Sequence, residues 1–246
     1  MTPASRRIHL YLGAPMKLLL VGSSGLVGSH VLEMALADPK VTSVVAPTRR
    51  PLPVHPKLQA PVVDFDALPP DAAWWQADAV ICTLGTTMRS AGSQAAFRRV
   101  DHDYPLAVAS LARQHGTPCH VLNSAIGADP DARFFYNRVK GELERDLAGL
   151  GFASLTHVRP GLIGGERQEQ RPGERVSGVL LGLLGPMLPR RWRINPAPRI
   201  AHALIFIVGI EHDVRAGDRL CKALDMRRQF RQFGFAVFVH KSTGRR

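Results

Sequence analysis

Tyr136 and Lys140 stand four residues apart in the stretch Tyr136-Asn137-Arg138-Val139-Lys140, the spacing that puts two side chains on one face of a helix. A phenol with an ordinary pKa near 10 exchanges protons poorly at neutral pH. A neighbouring ammonium favours the phenolate and is expected to draw Tyr136 toward the working range. Ser124, twelve residues ahead of Tyr136, supplies a hydroxyl to hold a substrate oxygen. Ser124, Tyr136 and Lys140 thus form an acid–base set for adding or removing a proton at a carbonyl or an alcohol.

Such a set needs a scaffold, and the chain writes one in short apolar runs alternating with helical patterns. Strands are expected at 18–21, 41–46, 61–63, 79–84, 120–123 and 154–158, with helices over 26–37, 97–114 and 135–150. The run Leu18 to Val21 lacks polar alternation, as in a strand covered on both faces. This order predicts an α/β fold, a Rossmann-type doubly wound parallel sheet. Beyond Gly161 the rhythm breaks, and helices at 176–184 and 201–210 are read as a small discontinuous C-terminal cap. The division is an extension over 1–15, a Rossmann domain over 16–214 with its substrate cap from about 161, and a basic divergent tail over 215–246. Met16, directly before the first strand, could be the true start.

A second chemical feature follows the first strand, where Gly22-Ser23-Ser24-Gly25-Leu26-Val27-Gly28 has glycine at every third position. Gly22 permits a tight turn, Gly25 lets the main chain approach a pyrophosphate, and Gly28 lets the helix lie close to the strand. The helix start, through Leu26 and Val27, then presents free N–H groups to the anion. At the end of the second strand, where an acid would bond a ribose 2′-hydroxyl, stand Arg49 and Arg50. A guanidinium there suits a 2′-phosphate, so NADP(H) is expected over NAD(H). Asp64 is placed to meet the adenine amino group, and Leu84, Gly85 and Thr86 to line the cofactor.

Charge and cysteine content narrow the class. The net charge is +12, but it gathers at the ends: Arg6 and Arg7 near the start, and nine Lys/Arg against Asp218 and Asp225 from residue 215 onward. Nucleic acid is accordingly not the expected partner, and the Arg/Phe-rich tail is read as a loosely ordered terminus. Cys82, Cys119 and Cys221 have no metal or disulfide spacing, so no metal is expected and a cytoplasmic location is. His115, Cys119 and His120 lack a fourth ligand nearby. The longest apolar run, Val176 to Leu188, falls short of the ~18 residues that span a bilayer.

The chain resembles the short-chain dehydrogenase/reductase family, in its atypical branch and closest to the Tat-interacting-protein, metastasis-suppressor type. The stretches that carry the likeness are GSSGLVG (22–28), CTLGTTMRSAGSQAAFRRVDHDYPL (82–106), LNSAIGADPDARFFYNRVKGELE (122–144), VRPGLI (158–163) and RQEQRPGER (167–175). The resemblance implies NADP(H) binding, a site at Ser124, Tyr136 and Lys140, and passage of the segment at Arg159 over the nicotinamide. In the wider superfamily an Asn often completes a proton relay, and the corresponding position here holds Asp101. Arg167, Arg171 and Arg175 either form an anionic-substrate end or pair with Glu166, Glu169 and Glu174.

The expected function is therefore an NAD(P)H-dependent oxidoreductase exchanging hydride with a small carbonyl or alcohol substrate, with a homodimer or protein partner as an accessory possibility. Two alternatives stand beside it. One is an NADP(H)-sensing regulatory protein with little turnover; the other is a nucleotide-sugar epimerase or dehydratase, for which the cap is short.

Overall fold

In the computed structural model of the chain, residues 15–164, 195–215 and 236–241 are described. The expected cap helix at 176–184, the arginines of 167–175, most of the extension and most of the basic tail lie outside them.

A seven-stranded sheet organises the protein in the order β3-β2-β1-β4-β5-β6-β9. Its strands are β1 (Met16–Val21), β2 (Val41–Val45), β3 (Leu58–Gln59), β4 (Ala79–Cys82), β5 (Cys119–Asn123), β6 (Ser154–Arg159) and β9 (Ala236–Lys241). A two-stranded parallel ribbon, β7 (Ile163–Gly164) with β8 (Asn195–Pro196), stands apart. All pairings in the large sheet are parallel except β6 with β9. The order 3-2-1-4-5-6 is that of a Rossmann fold, whose strand order reverses between β1 and β4.

Helices cover both faces, which explains the unbroken apolar runs. On one face α1 (Leu26–Ala37) and α6 (Ala197–Arg215) bury Val27, Val31, Ile200, Leu204 and Val208 against Leu18, Leu20, Ile81, Val121 and Val158. Lys40 pairs with Asp213 at 2.9 Å and ties the two helix ends together. On the other face α4 (Tyr104–Gln114) and α5 (Phe135–Gly149) set Val108, Ala112, Leu143 and Leu147 against Leu19, Val80, Leu122 and Leu155. Burying each such side chain contributes roughly 1.5–3 kcal/mol. Short helices α2 (Met88–Ala91) and α3 (Gln94–Arg98) lead into α4 through a π turn at Arg99–Asp103, so the helix expected over 97–114 is continuous but widened at Asp101.

Two expectations are corrected. The third strand lies at Leu58–Gln59 and not at 61–63, where only an isolated bridge joins Thr48 to Val62. Pro61 has no N–H to give the ladder; its carbonyl accepts from Thr48 N at 3.0 Å. The tail over 215–246 is not structureless throughout: Ala236–Lys241 closes the sheet edge, running antiparallel to β6 with Phe238 opposite His157. His120 and Cys119, once weighed as metal ligands, alternate to opposite faces of β5 within the core.

Candidate functional site

The glycine turn forms at the carboxyl end of β1, beside the strand reversal. Gly22 has φ +86°, and a Cβ there would lie 2.7 Å from the Leu84 amide nitrogen. A Cβ on Gly28 would stand 2.0 Å from the Gly22 carbonyl oxygen, a collision with backbone. Gly25 is different: its N–H bonds the Gly22 carbonyl at 2.9 Å, and a Cβ would meet that oxygen at 3.2 Å. It is the N-cap of α1, and no side chain caps the helix. The first-turn N–H groups are left for an anion. Ser23 Oγ is buried without a hydrogen-bond partner among the described residues.

A pocket opens over this turn, lined by Gly22, Ser23, Ser24, Pro47, Thr48, Arg49, Phe65 and Leu84. Ser24 and Arg49 thus line one pocket with the turn. Leu26 and Val27 turn their side chains into the core beneath α1, leaving only backbone for a ligand. Arg50 is exposed and does not line this pocket. Asp64 is exposed and accepts from Asp66 N at 2.9 Å, while its neighbour Phe65 forms the pocket wall. Phe65 escaped the sequence reading because it lies in no motif, and Ser23 because it fills one of the variable positions between the turn glycines.

Gly85 and Thr86 lead from β4 to the second cluster. Lys140 Nζ pairs with Asp101 Oδ1 at 2.8 Å, and the two side chains are only 4% and 1% exposed. Asp101 Oδ2 accepts from Thr86 N at 2.7 Å. A Cβ on Gly85 would press on Asp101 Oδ1 at 3.3 Å and approach Lys140 Nζ at 3.8 Å. Burial works against the Lys140 ammonium, but Asp101 and Tyr136 outweigh it and raise its pKa.

Tyr136 lies on the same helix, 40% exposed, with its ring 5.7 Å from that of Phe97. Its phenol is raised, not lowered: desolvation pushes it up, Lys140 pulls it down, and Asp101 pushes it up again. Lys140 thus acts on Tyr136 in the expected direction, and burial outweighs it. The loop from Ser124 to Tyr136 is pinned to α5, because Asn137 Nδ2 donates to the Gly127 carbonyl at 2.7 Å and Gly141 packs directly on Asp129 and Pro130.

Ser124 is buried and donates to Glu144 Oε1 at 2.5 Å. Glu144 also receives Arg159 through Nε at 2.9 Å and through Nη2, and lies 3.2 Å from His157 Nδ1. Burial would raise the Glu144 carboxyl, but hydrogen bonds from His157, Arg159 and Ser124 bring it down to about 2. Arg159, placed over the nicotinamide by the sequence reading, turns its guanidinium to Glu144 and to the face of Phe238, 4.3 Å from the ring centre. Glu144 was not anticipated. Its signal was present: Tyr136, Lys140 and Glu144 follow one another at four-residue intervals on one helical face.

No family model matches the chain. Among curated proteins it is 38% identical to the mitochondrial protein fmp52 of Emericella nidulans over 176 residues, covering 68% of this chain and 75% of the relative. With the mitochondrial protein fmp52-1 of Aspergillus terreus it shares 33% over 212 residues, 80% of this chain and 90% of the relative. Among solved structures, the oxidoreductase ylbE from Lactococcus lactis matches with a TM-score of 0.59 at 18% identity, over 92% of this chain and 91% of that one. MoeE5 in complex with UDP-glucose and NAD matches with a TM-score of 0.59 at 18% identity, over 78% and 71%. WbmH of Bordetella bronchiseptica in complex with NAD+ matches at 0.58 and 17% identity, over 78% and 72%. These last likenesses establish the fold, a Rossmann-type α/β sheet.

Two further expectations give way. The preference for NADP(H) is not upheld, since the chains of like fold hold NAD or NAD+. Arg49 and Arg50 are both exposed loop residues, and solvated arginines occur on such loops without any phosphate to bind. The cytoplasmic location is overturned by the relatives, which are named mitochondrial. No helix among the described residues is long and apolar enough to cross a membrane. With a relative 38% identical and three quarters of its length matched, the chain belongs to the FMP52 family.

Proposed function

We propose that the protein is an NAD(H)-dependent oxidoreductase acting on a small carbonyl or alcohol, with Tyr136 as the proton-exchanging group. The observation that carries the reading is a cradle that nothing among the described residues fills. Gly22 and Gly28 admit no side chain, the α1 start is uncapped, and buried Ser23 Oγ has no partner among the described residues. Those features fit the pyrophosphate of a dinucleotide. Ser24, Gly25 and the first N–H groups of α1 would hold it, with Phe65 and Leu84 against the adenosine side. When bound, the dinucleotide supplies a two-electron hydride donor or acceptor.

The chain's own residues do the rest. Tyr136 moves a proton between its hydroxyl and the substrate oxygen. Lys140, locked by Asp101, holds the cofactor's ribose side of the site. Ser124, whose hydrogen goes to Glu144, meets the substrate with oxygen lone pairs and so receives the hydrogen of an alcohol. Likeness to the Tat-interacting-protein type rests on the motifs alone.

Calorimetric titration with NADH tests the reading. Saturable binding is expected, and Tyr136→Phe should retain it while losing turnover in a carbonyl screen. Absence of NADH binding by the folded protein would overturn the proposal.

A further inference from the structure

We propose that Asp101 is a positioning residue that pins the Lys140 ammonium and cancels its charge, so that the site presents Tyr136 as a phenol, a proton donor, and not as a phenolate. This deepens the oxidoreductase reading and rests on it: it makes the resting Tyr136 ready to give a proton to a carbonyl oxygen.

The geometry carries the inference. The Lys140–Asp101 pair spans 2.8 Å with both side chains almost wholly buried. At that depth a charge acts through a poor dielectric, and an opposite charge in contact removes most of its effect on a third group. Asp101 cannot swing away, because Thr86 N holds its other oxygen at 2.7 Å and the π turn at Arg99–Asp103 carries it toward α5. Gly85 leaves the room: any larger residue would press a Cβ onto Asp101 Oδ1.

The charged and titratable groups bearing on Tyr136 are then Lys140 on its own helix and Asp101 on the π turn. Cys82, at the end of β4, is buried beside the same pair and its thiol is pushed up to about 11, so it remains neutral. With the ammonium matched by one carboxylate, no net positive charge is left to favour a phenolate. A neutral amide at position 101 would leave the ammonium unmatched. The residue type at 101 therefore helps to set the pH at which Tyr136 loses its proton.

The test reads the phenol directly, with no cofactor or substrate. The chain has three tyrosines, Tyr11, Tyr104 and Tyr136. In protein labelled with 13C at the tyrosine Cζ, the Tyr136 signal is identified by its loss in Tyr136→Phe and followed against pH. In the wild type it should remain protonated through pH ~10, the ordinary phenol midpoint. In Asp101→Asn the midpoint should fall by at least one pH unit, a tenfold change in proton activity. An unchanged midpoint in folded Asp101→Asn would overturn the proposal.

Asp101→Asn leaves a buried ammonium unpaired and can fail to fold. The double variant Asp101→Asn/Lys140→Met removes both charges and decides the matter instead. If the pair cancels, Tyr136 titrates in it as in the wild type. A midpoint more than one unit higher than wild type would show that Lys140 was acting on the phenol all along. Failure of NADH to bind would remove the oxidoreductase reading but leave this titration to be read.

Discussion

Ser124 gives its hydroxyl hydrogen to Glu144 across 2.5 Å, and the chemistry fixes that direction. A carboxylate held ionised by Arg159 and His157 has no proton to offer. Ser124 therefore has only acceptor lone pairs left for a further partner. Under the proposed oxidoreductase reading, Ser124 would accept the hydroxyl hydrogen of an alcohol.

Glu144 makes stability depend on acid pH. Its folded pKa of about 2 lies below the ordinary 4.5, so the unfolded chain takes up the proton first. The contribution is complete above pH ~4.5, is on the order of 3 kcal/mol, and is lost as pH falls toward 2. Urea unfolding at steps from pH 7 to pH 3 should show this decline. In Glu144→Gln it should be flatter, with the whole curve lowered by about 3–5 kcal/mol because Arg159 loses its partner.

Two of the turn glycines should separate fold from ligand. Gly28→Ala drives a Cβ into the Gly22 carbonyl at 2.0 Å and should cost about 1–3 kcal/mol in thermal or denaturant unfolding. Gly25→Ala meets the same oxygen at only 3.2 Å with an ordinary φ of −81°. It should melt near the wild-type temperature while NADH titration loses tenfold or more in affinity. Equal damage from both would show that the turn is structural alone.

His120 is a liability below neutral pH. Both ring nitrogens are buried without partners among the described residues, and burial, reinforced by His157, lowers its pKa to about 3. A folded value below the unfolded 6.5 means stability is full above pH ~6.5 and declines as pH falls toward 3. His120→Leu, beside Phe152 and Leu155, should stabilise by about 1 kcal/mol at pH 5 and flatten the pH dependence between 6.5 and 3. A more stable wild type at pH 5 would show that His120 has a partner after all.

Phe238 should hold the sheet edge. It lies against the Arg159 guanidinium at 4.3 Å, a contact of about 0.5–2 kcal/mol, and sits opposite His157 in the β6–β9 ladder. Phe238→Ala should speed amide hydrogen exchange in 154–159 by tenfold or more while leaving β1 and β4 protected. Uniform loss of protection across the sheet would instead mean that β9 is part of the global core.

The sheet and the turn were legible in the sequence because each depends on local pattern. Leu18 to Val21 reads as buried on both faces, and all four residues are. The glycines announce themselves by spacing. What stayed hidden depends on partners distant in the chain. Ala236–Lys241 gives no alternating pattern, and Ala236, Phe238, Val239 and His240 are all exposed. Nor could the spacing of Tyr136 and Lys140 reveal that Asp101 would neutralise the lysine, which needs the π turn. Pro61 was a local signal that 61–63 could not pair fully, and it was outweighed by the apolar residues around it.

The antiparallel closure of β6 by β9 sets an order on synthesis. Residues 154–159 emerge long before 236–241, so the nascent sheet spends an interval with an open strand edge and with Arg159 lacking its Phe238 cover. Open edges of this kind recruit other strands, and contacts so distant in sequence form late. The edge of β6 thus stays open to other strands until residues 236–241 are in place to cover it.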